Sequence, residues 1–379
     1  MNFQGSVTLE FLGGDPEAPY TTSGFSAELF ESIYGVSLYR VHLRMKSVKD
    51  WNNLVKDGGA SDCRIQWMRA GDGGTSDVLS EWRTSRLQNY TVNALHDAAM
   101  IRADFVDGMF RMKNRRPRAM FKKKTVAAIA KAIIEANKLI PDVDEFSTTE
   151  YTLCQCGMSD YEFIKEVLIP RASADPVLFY AKAGGTISLK QRKKMPPAVE
   201  FNNTFGIASD TKVPIDELKA SLIVNSTNFG VLGVAFDPLK SQKQPFSQEF
   251  LASDASMEKD PFAPTAPKVL SLATTDAGEV KNVVIETLGL DIKTALQERV
   301  RPDFSMNMHR VAVTSYLLPK LELGATAKLV TETYERASGG RSVEKVQGAG
   351  EYMVYGLYHT ISAENMSTIV FLERRGFEV

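Results

Sequence analysis

The sequence predicts a mainly β chain with an α+β insertion, in which two β-rich regions flank a small α/β unit. Three observations carry that reading. Apolar and polar residues alternate with a period of two through the N-terminal third. The period changes to that of amphipathic helices near residue 125. Strand-like runs return after about residue 196 and continue to the C-terminus.

Val7, Leu9 and Phe11 share one side of a strand whose other side carries Thr8 and Glu10. Tyr39, Val41, Leu43 and Met45 oppose Arg40, His42 and Arg44, and Tyr90, Val92 and Ala94 repeat the pattern. Glycines at Gly13-Gly14, Gly58-Gly59 and Gly71–Gly74 separate these runs. One apolar and one charged side predict an antiparallel sheet or barrel. Val126, Ile129, Ala130, Ile133 and Ile134 then fall on one helical face, with Thr125 as N-cap and Pro141 beyond the end. Ser159 and Glu162 form a capping box ahead of the stripe Phe163, Ile164, Val167 and Leu168, and Pro170 reads as its stop. A hairpin follows, Val177–Ala181 and Thr186–Leu189 joined through Gly184-Gly185.

Leu222–Val224 and Val231–Phe236 read as strands. Residues 241–278 hold Pro245, Pro261, Pro264 and Pro267 and read as a long loop. Asp276–Val300 reads as helical, in two pieces around Gly289. Four strands close the chain: His309–Tyr316, Ala325–Tyr334, Tyr352–Ile361 and Thr368–Glu373. The expected units are therefore residues 1–115, 116–195 and 196–379.

The composition is that of a soluble globular protein: 379 residues, 44% hydrophobic, 24% charged, formal net charge −1. It excludes collagen-like, disordered and disulfide-dense chains. The first Lys or Arg is Arg40, so no basic segment precedes an apolar stretch as a secretory signal requires. The uncharged run Ala220–Phe236 is broken by Asn225, Ser226, Thr227 and Asn228 and reads as two strands around a turn rather than a membrane span. Cys63, Cys154 and Cys156 are an odd set, which argues against a disulfide framework and for synthesis in a reducing cytoplasm.

Catalytic patterns are mostly absent. No G-x-S-x-G elbow, P-loop, G-x-G-x-x-G or H-E-x-x-H occurs. His42, His96, His309 and His359 are not spaced as metal pairs, and Cys154 and Cys156 read as pointing to opposite faces of a strand, which disfavours zinc. Asp142 and Asp144 resemble the start of a calcium loop but lack its Gly and its later Glu. The expectation is no catalytic residue, no cofactor and no metal. His359, on a strand face with Met353, Tyr355 and Leu357, reads as a partly buried structural histidine.

Charge is unevenly placed. Lys113, Arg115, Arg116, Arg118, Lys122, Lys123 and Lys124 form one basic cluster, and Lys190, Arg192, Lys193 and Lys194 a second, at the two edges of the α/β unit. Without these eleven, 34 basic residues face 46 acidic ones, a net of −12. The clusters read as a solvated face or as a docking patch for an acidic partner protein or phosphate groups. The sparse aromatic content around them disfavours sequence-specific nucleic-acid recognition.

Phe121-Lys-Lys-Lys-Thr125-Val126, the helix through Asn137, Ser159-Asp160-Tyr161-Glu162-Phe163-Ile164 and the hairpin to Leu189 resemble the central region of phage baseplate hub proteins. These belong to the tail-hub superfamily shared with type VI secretion spike proteins. Leu323-Gly324, Gly350-Glu351-Tyr352-Met353-Val354, Tyr358-His359 and the ending Leu372-Glu373-Arg374-Arg375-Gly376 are similar to that family's C-terminus. The resemblance implies two β-barrel domains flanking the α/β domain. It implies a homotrimer whose six barrels form a pseudo-sixfold ring, joining a hexameric tail tube, or a distal tube adaptor, to a trimeric spike. It further implies a non-enzymatic protein in the virion's tail baseplate, made in the host cytoplasm, with DNA passing through the lumen. Because DNA must slide through without sticking, acidic residues are expected to dominate that lumen and the basic clusters to face surrounding baseplate proteins. Some relatives carry spike or hydrolase on the same chain, and this sequence reads as needing a separate spike protein. The rival expectation is a tail-associated cell-wall hydrolase or carbohydrate-binding protein using carboxylates on a β scaffold.

Overall fold

The computed structural model describes residues 5–12, 20–33, 35–58, 63–70, 76–172, 177–193, 195–202, 211–223, 229–237, 242–250, 280–286, 308–330, 332–337, 340–345 and 349–375. The fold is mainly β with small helical insertions, as the alternation predicts.

The N-terminal region contains β1 (Gly5–Phe11), β2 (Tyr20–Ser32), β3 (Leu38–Met45), α1 (Val48–Gly58), β4 (Cys63–Ala70), β5 (Ser76–Val78), β6 (Arg83–Ala94) and β7 (Ala99–Asp107). Six of these strands pair in the order β1-β4-β6-β7-β3-β2, and β2 pairs back onto β1. Every pairing is antiparallel, and the β1–β2 pairing closes the sheet into a barrel. Val7, Leu9, Phe11, Val41, Leu43, Ile65, Trp67, Ile101 and Phe105 fill it, with Trp51 of α1.

The helical insertion comprises α2 (Met109–Asn114), β8 (Ala119–Thr125), α3 (Val126–Ala136), β9 (Ile140–Val143), β10 (Glu150–Gln155), α4 (Asp160–Glu162), a π-helical turn (Phe163–Leu168), α5 (Ile169–Ala172), β11 (Val177–Ala181) and β12 (Thr186–Gln191). Thr125 Oγ1 caps α3 by accepting from Ala128 N, and Ser159 and Glu162 make the reciprocal capping box. Pro170 does not stop the second helix, which runs on to Ala172. The wider π turn before Pro170 accommodates the ring and the missing N–H that would disrupt a regular turn. Met109, Ile129, Ile133, Leu153, Phe163, Phe179 and Leu189 form a separate core here.

The C-terminal region contains β13 (Val199–Asn202), β14 (Lys212–Pro214), β15 (Glu217–Ile223), β16 (Phe229–Asp237), β17 (Gln242–Phe250), β18 (Val280–Glu286), β19 (Met308–Tyr316), β20 (Thr326–Val330), β21 (Glu332–Ala337), β22 (Gly340–Lys345), β23 (Gly350–Ser362) and β24 (Met366–Arg375). Pairing runs β15-β19-β24-β23-β20-β13-β14. The two ends of this order, β14 and β15, are joined by the chain itself, through Ile215, whose N–H donates to Asn202 O, and Asp216, whose N–H donates to Thr314 O. Its core holds Phe201, Val213, Val313, Leu329, Tyr352, Val354 and Leu372.

Three sequence expectations fail here. Within the expected loop 241–278, Gln242–Phe250 is a strand antiparallel to β16. Pro245 is tolerated because β17 is an edge strand, where a missing N–H breaks no second ladder. Within the expected helix 276–300, Val280–Glu286 is a strand parallel to β16. Val280, Val283 and Val284 mimic a helical face by spacing, but a run so rich in β-branched residues prefers the extended backbone. The remainders, 251–279 and 287–307, lie outside the described residues. The expected single strand Ala325–Tyr334 is two strands with different partners, β20 on β23 and β21 on β22.

The two barrel-like sheets are fused through two 13-residue strands. Tyr20–Gly24 of β2 pair with β1, whereas Ser26–Ser32 pair with Gly356–Ser362 of β23. The near end of β23, Gly350–Met353, pairs with β20. Each long strand thus serves both sheets in turn.

Candidate functional site

The eleven predicted basic residues divide into a paired set and a free set. Arg115 Nη1 donates to Asp160 Oδ2 at 2.7 Å. Asp160 is fully buried and also accepts from Asn137 Nδ2 (2.7 Å) and Gln155 Nε2 (2.8 Å), so Arg115 neutralises an internal carboxylate. Arg116 reaches Gly157 O at 3.1 Å and Glu162 at 3.6 Å. Lys113 Nζ lies 4.9 Å above the Tyr161 ring. Lys190 bridges Asp142 and Asp144. Burial opposes the charge of Asp142, but hydrogen bonds from Lys190, Lys182 and Ser188 outweigh it and hold the carboxyl at about 2.

Arg192 departs from the surface expectation. It is buried and pairs with the buried Glu373, 3.6 Å away, in the second barrel. The reason is compensation: Glu373 also faces Arg310, and an interior carboxylate needs such partners. Lys193 is exposed, and Lys194 lies outside the described residues.

Arg118, Lys122, Lys123 and Lys124 are exposed and make no ion pair among the described residues. Their presentation has a backbone cause. In the β8–β10 ladder Phe121 pairs with Leu153 and Lys124 with Tyr151, so Lys122 and Lys123 together stand opposite Thr152. This is a β-bulge. A regular strand would turn alternate side chains inward, whereas the bulge leaves all three lysines outward. Lys123 adopts φ 46°, a left-handed conformation that costs a non-glycine residue about 1–2 kcal/mol.

Cys154 and Cys156 are both exposed, with Gln155 buried between them. The expectation of opposite faces is wrong, because residues i and i+2 of a strand share a face. Among the described residues no group of three or more His, Cys, Asp or Glu could hold a metal.

A second polar constellation, missed by sequence reasoning, lies at the junction of the barrels. Glu31 of β2 is buried and accepts from Arg83 Nε at 2.8 Å and from Tyr39 Oη at 3.3 Å. Arg83 lies over the Trp67 ring, 5.4 Å from its centroid. Beside Arg83 a cleft of about 670 Å³ is lined by Gln66, Ser80, Trp82, Gly184, Pro319 and Glu322, and so collects all three parts of the chain. His359 is fully buried rather than partly. Thr368 Oγ1 accepts from Leu318 N at 2.9 Å and lies 2.9 Å from His359 Nδ1. His359 Nε2 makes no hydrogen bond among the described residues. Burial pulls His359 down to about 4. These residues were hard to find because Glu31, Arg83 and His359 lie far apart in sequence and inside ordinary strand patterns.

A closed barrel fused through β2 and β23 to a second curved sheet defines the class of fold. Solved structures of tail proteins share it. The tail protein from Neisseria meningitidis MC58 aligns over 100% of both chains at 11% identity, with a TM-score of 0.58. The 43 kDa tail protein of prophage MuSo2 from Shewanella oneidensis aligns over 97% of this chain and 98% of its own, at 11% identity and a TM-score of 0.57. A chain of the lidded Francisella PdpA–VgrG complex aligns over 98% of this chain and 53% of its own, at 11% identity and a TM-score of 0.52. No family model and no curated protein matches the chain. The chain therefore has the fold of these tail proteins. Among the described residues no helix is long and apolar enough to cross a membrane.

Proposed function

We propose that the chain is a structural hub of a phage tail baseplate. The observation that carries this reading is the fusion of two barrel-like sheets in one chain through β2 and β23. Three such chains supply six similar lobes while keeping threefold symmetry. One face of that assembly suits a hexameric tail tube or tube adaptor, and the other a separate trimeric spike. In this reading the units are residues 1–115, 116–195 and 196–379; the chain has three hydrophobic cores, with Met109 and Met112 packing into the middle one and Leu178 and Tyr180 into the C-terminal one. In this reading the protein is not an enzyme and resides in the virion. The lumen is predominantly acidic and passes DNA without specific binding.

The test is mass measurement in solution with negative-stain imaging, alone and with candidate tube and spike proteins. A trimeric ring with six lobes supports the hub. A chain that stays monomeric in every mixture overturns it. A peptidoglycan or glycan cleavage assay addresses the rival function. Turnover lost on a single Asp or Glu substitution makes the chain a hydrolase.

A further inference from the structure

We infer that the outward face of the β8–β10 ribbon is a docking surface for an acidic, partly apolar polypeptide segment of a neighbouring protein. In calling that neighbour a tail component the inference rests on the hub reading; the chemistry of the surface does not depend on it.

Four observations converge on this face. First, the basic cluster that looks uniform in sequence is not. Arg115, Arg116 and Lys113 are occupied by Asp160, Glu162 and Tyr161, whereas Arg118, Lys122, Lys123 and Lys124 have no internal counter-charge among the described residues. Second, a β-bulge with Lys123 at φ 46° holds three consecutive lysines outward, so like charges are crowded together at a cost in backbone strain. Such strain persists where the surrounding structure imposes it, and such sites are often functional. Third, Met120 is 60% exposed on this strand, between Arg118 and Lys122, and stands in register with the exposed Cys154. Fourth, β8 and β10 pair only with each other among the described residues, so both outer edges of the ribbon lack a strand partner.

The occupant follows from charge and apolar complementarity. Four free cations call for an anionic partner. An exposed methionine in their midst calls for an apolar contact that a phosphate backbone does not make. No exposed aromatic residue lies on β8 or β10 to stack a base, which disfavours single-stranded nucleic acid. An acidic segment in extended conformation meets both demands, since its alternate side chains can carry carboxylates to the lysines and an apolar group to Met120. An added strand would also satisfy an open ribbon edge.

The full chain is titrated by fluorescence anisotropy with a labelled peptide of alternating Glu and Val residues and, separately, with a duplex DNA of similar charge. The expected result is salt-sensitive peptide binding. It should weaken about tenfold or more in the variant combining Arg118→Glu, Lys122→Glu and Lys124→Glu, and about threefold in Met120→Ser. Lys193→Gln, which removes an exposed charge elsewhere, should bind as the parent does. If the reversal variant fails to fold, Lys122→Gln with Lys124→Gln and Lys123→Gly carry the same reading, because glycine suits the bulge conformation. Binding unchanged by these variants overturns the proposal. DNA bound more tightly than peptide and indifferent to Met120→Ser makes the face a nucleic-acid surface and also overturns it. Self-association abolished by the same variants without peptide assigns the face to a second copy, with the same consequence. A chain that binds the peptide yet never forms a ring denies the hub and leaves the docking surface standing. A ring that ignores the peptide does the reverse.

Discussion

His359 lies against the indole of Trp67, ring centroids 4.4 Å apart, across the seam where the two barrels join. The histidine belongs to β23 and the tryptophan to β4, and both are fully buried. The imidazole also faces the buried ion pair of Glu31 with Arg83. Glu31 favours its protonation and Arg83 opposes it, but burial dominates and keeps the ring neutral.

This contact makes the seam acid-sensitive. The folded value of about 4 lies below the ordinary 6.5, so the unfolded chain binds the proton more tightly. Stability is intact above pH 6.5 and declines as pH falls towards 4, by roughly 3 kcal/mol in all. Urea unfolding of the parent and of His359→Gln at several pH values checks this. The gap between the two should narrow across that window, and parallel curves would refute the assignment.

Asp107 works in the opposite sense. Burial pushes it up to about 6, although its carboxylate accepts from Ser37 N at 2.7 Å and from Met109 N at 2.9 Å. The folded state therefore holds this proton more tightly, a contribution fully present below pH 3.8 and lost as pH rises through 6. In Asp107→Asn this component of the pH profile should disappear, whatever the variant's absolute stability.

Asp160 ties three parts of the inserted unit together. Asp160→Ala leaves the buried donors of Asn137 and Gln155 without their acceptor and should cost about 2–4 kcal/mol. Arg115→Ala should cost less, because the arginine side chain is 42% exposed and water can partly replace it. Chemical denaturation of the two variants ranks them, and equal losses would contradict the hydrogen-bond account.

Breaking the seam pair at one partner should be severe. Glu31→Gln takes from the Arg83 guanidinium, which is nine-tenths buried, the carboxylate it hydrogen-bonds and should cost about 3–5 kcal/mol. A smaller loss is expected for Ser159→Ala, about 1 kcal/mol, since only the helix cap is removed. Thermal melts separate the two by size.

Gly324 adopts φ 78°, and a Cβ there would lie 3.2 Å from Tyr180 Oη. Gly324→Ala should therefore destabilise by about 1–2 kcal/mol. A neutral or stabilising result, read from the melting temperature, would show that this turn relaxes.

Local signals in the sequence were sufficient where local physics decides. Thr125, Ser159 and Glu162 announce helix starts because capping uses neighbours within three residues. Alternation at Val7, Leu9 and Phe11 announces a barrel face because one side meets the core. Charge alone could not tell Arg115 from Lys122, since the partner of Arg115 is 45 residues away. Arg192 illustrates the same point: it reads as part of a surface run, yet its carboxylate is supplied by Glu373, 181 residues later. The helix α1 was hidden between strands of similar apolar content, and the bulge at Lys123 depends on a register that only the partner strand sets.

The shared strands also govern the order of assembly. Leu29 of β2 pairs with His359 of β23, and 330 residues separate them. During synthesis the N-terminal barrel can close through β1 and β2 long before its neighbour exists. Its far edge, Ser26–Ser32, and its core position for Ile361 wait until β23 is made. Such remote pairing is slow to form, because chain closure must precede the contacts that reward it. Residues made some 330 positions after β2 therefore seal the first domain, and a chain cut before β23 leaves that edge open to pair with another molecule.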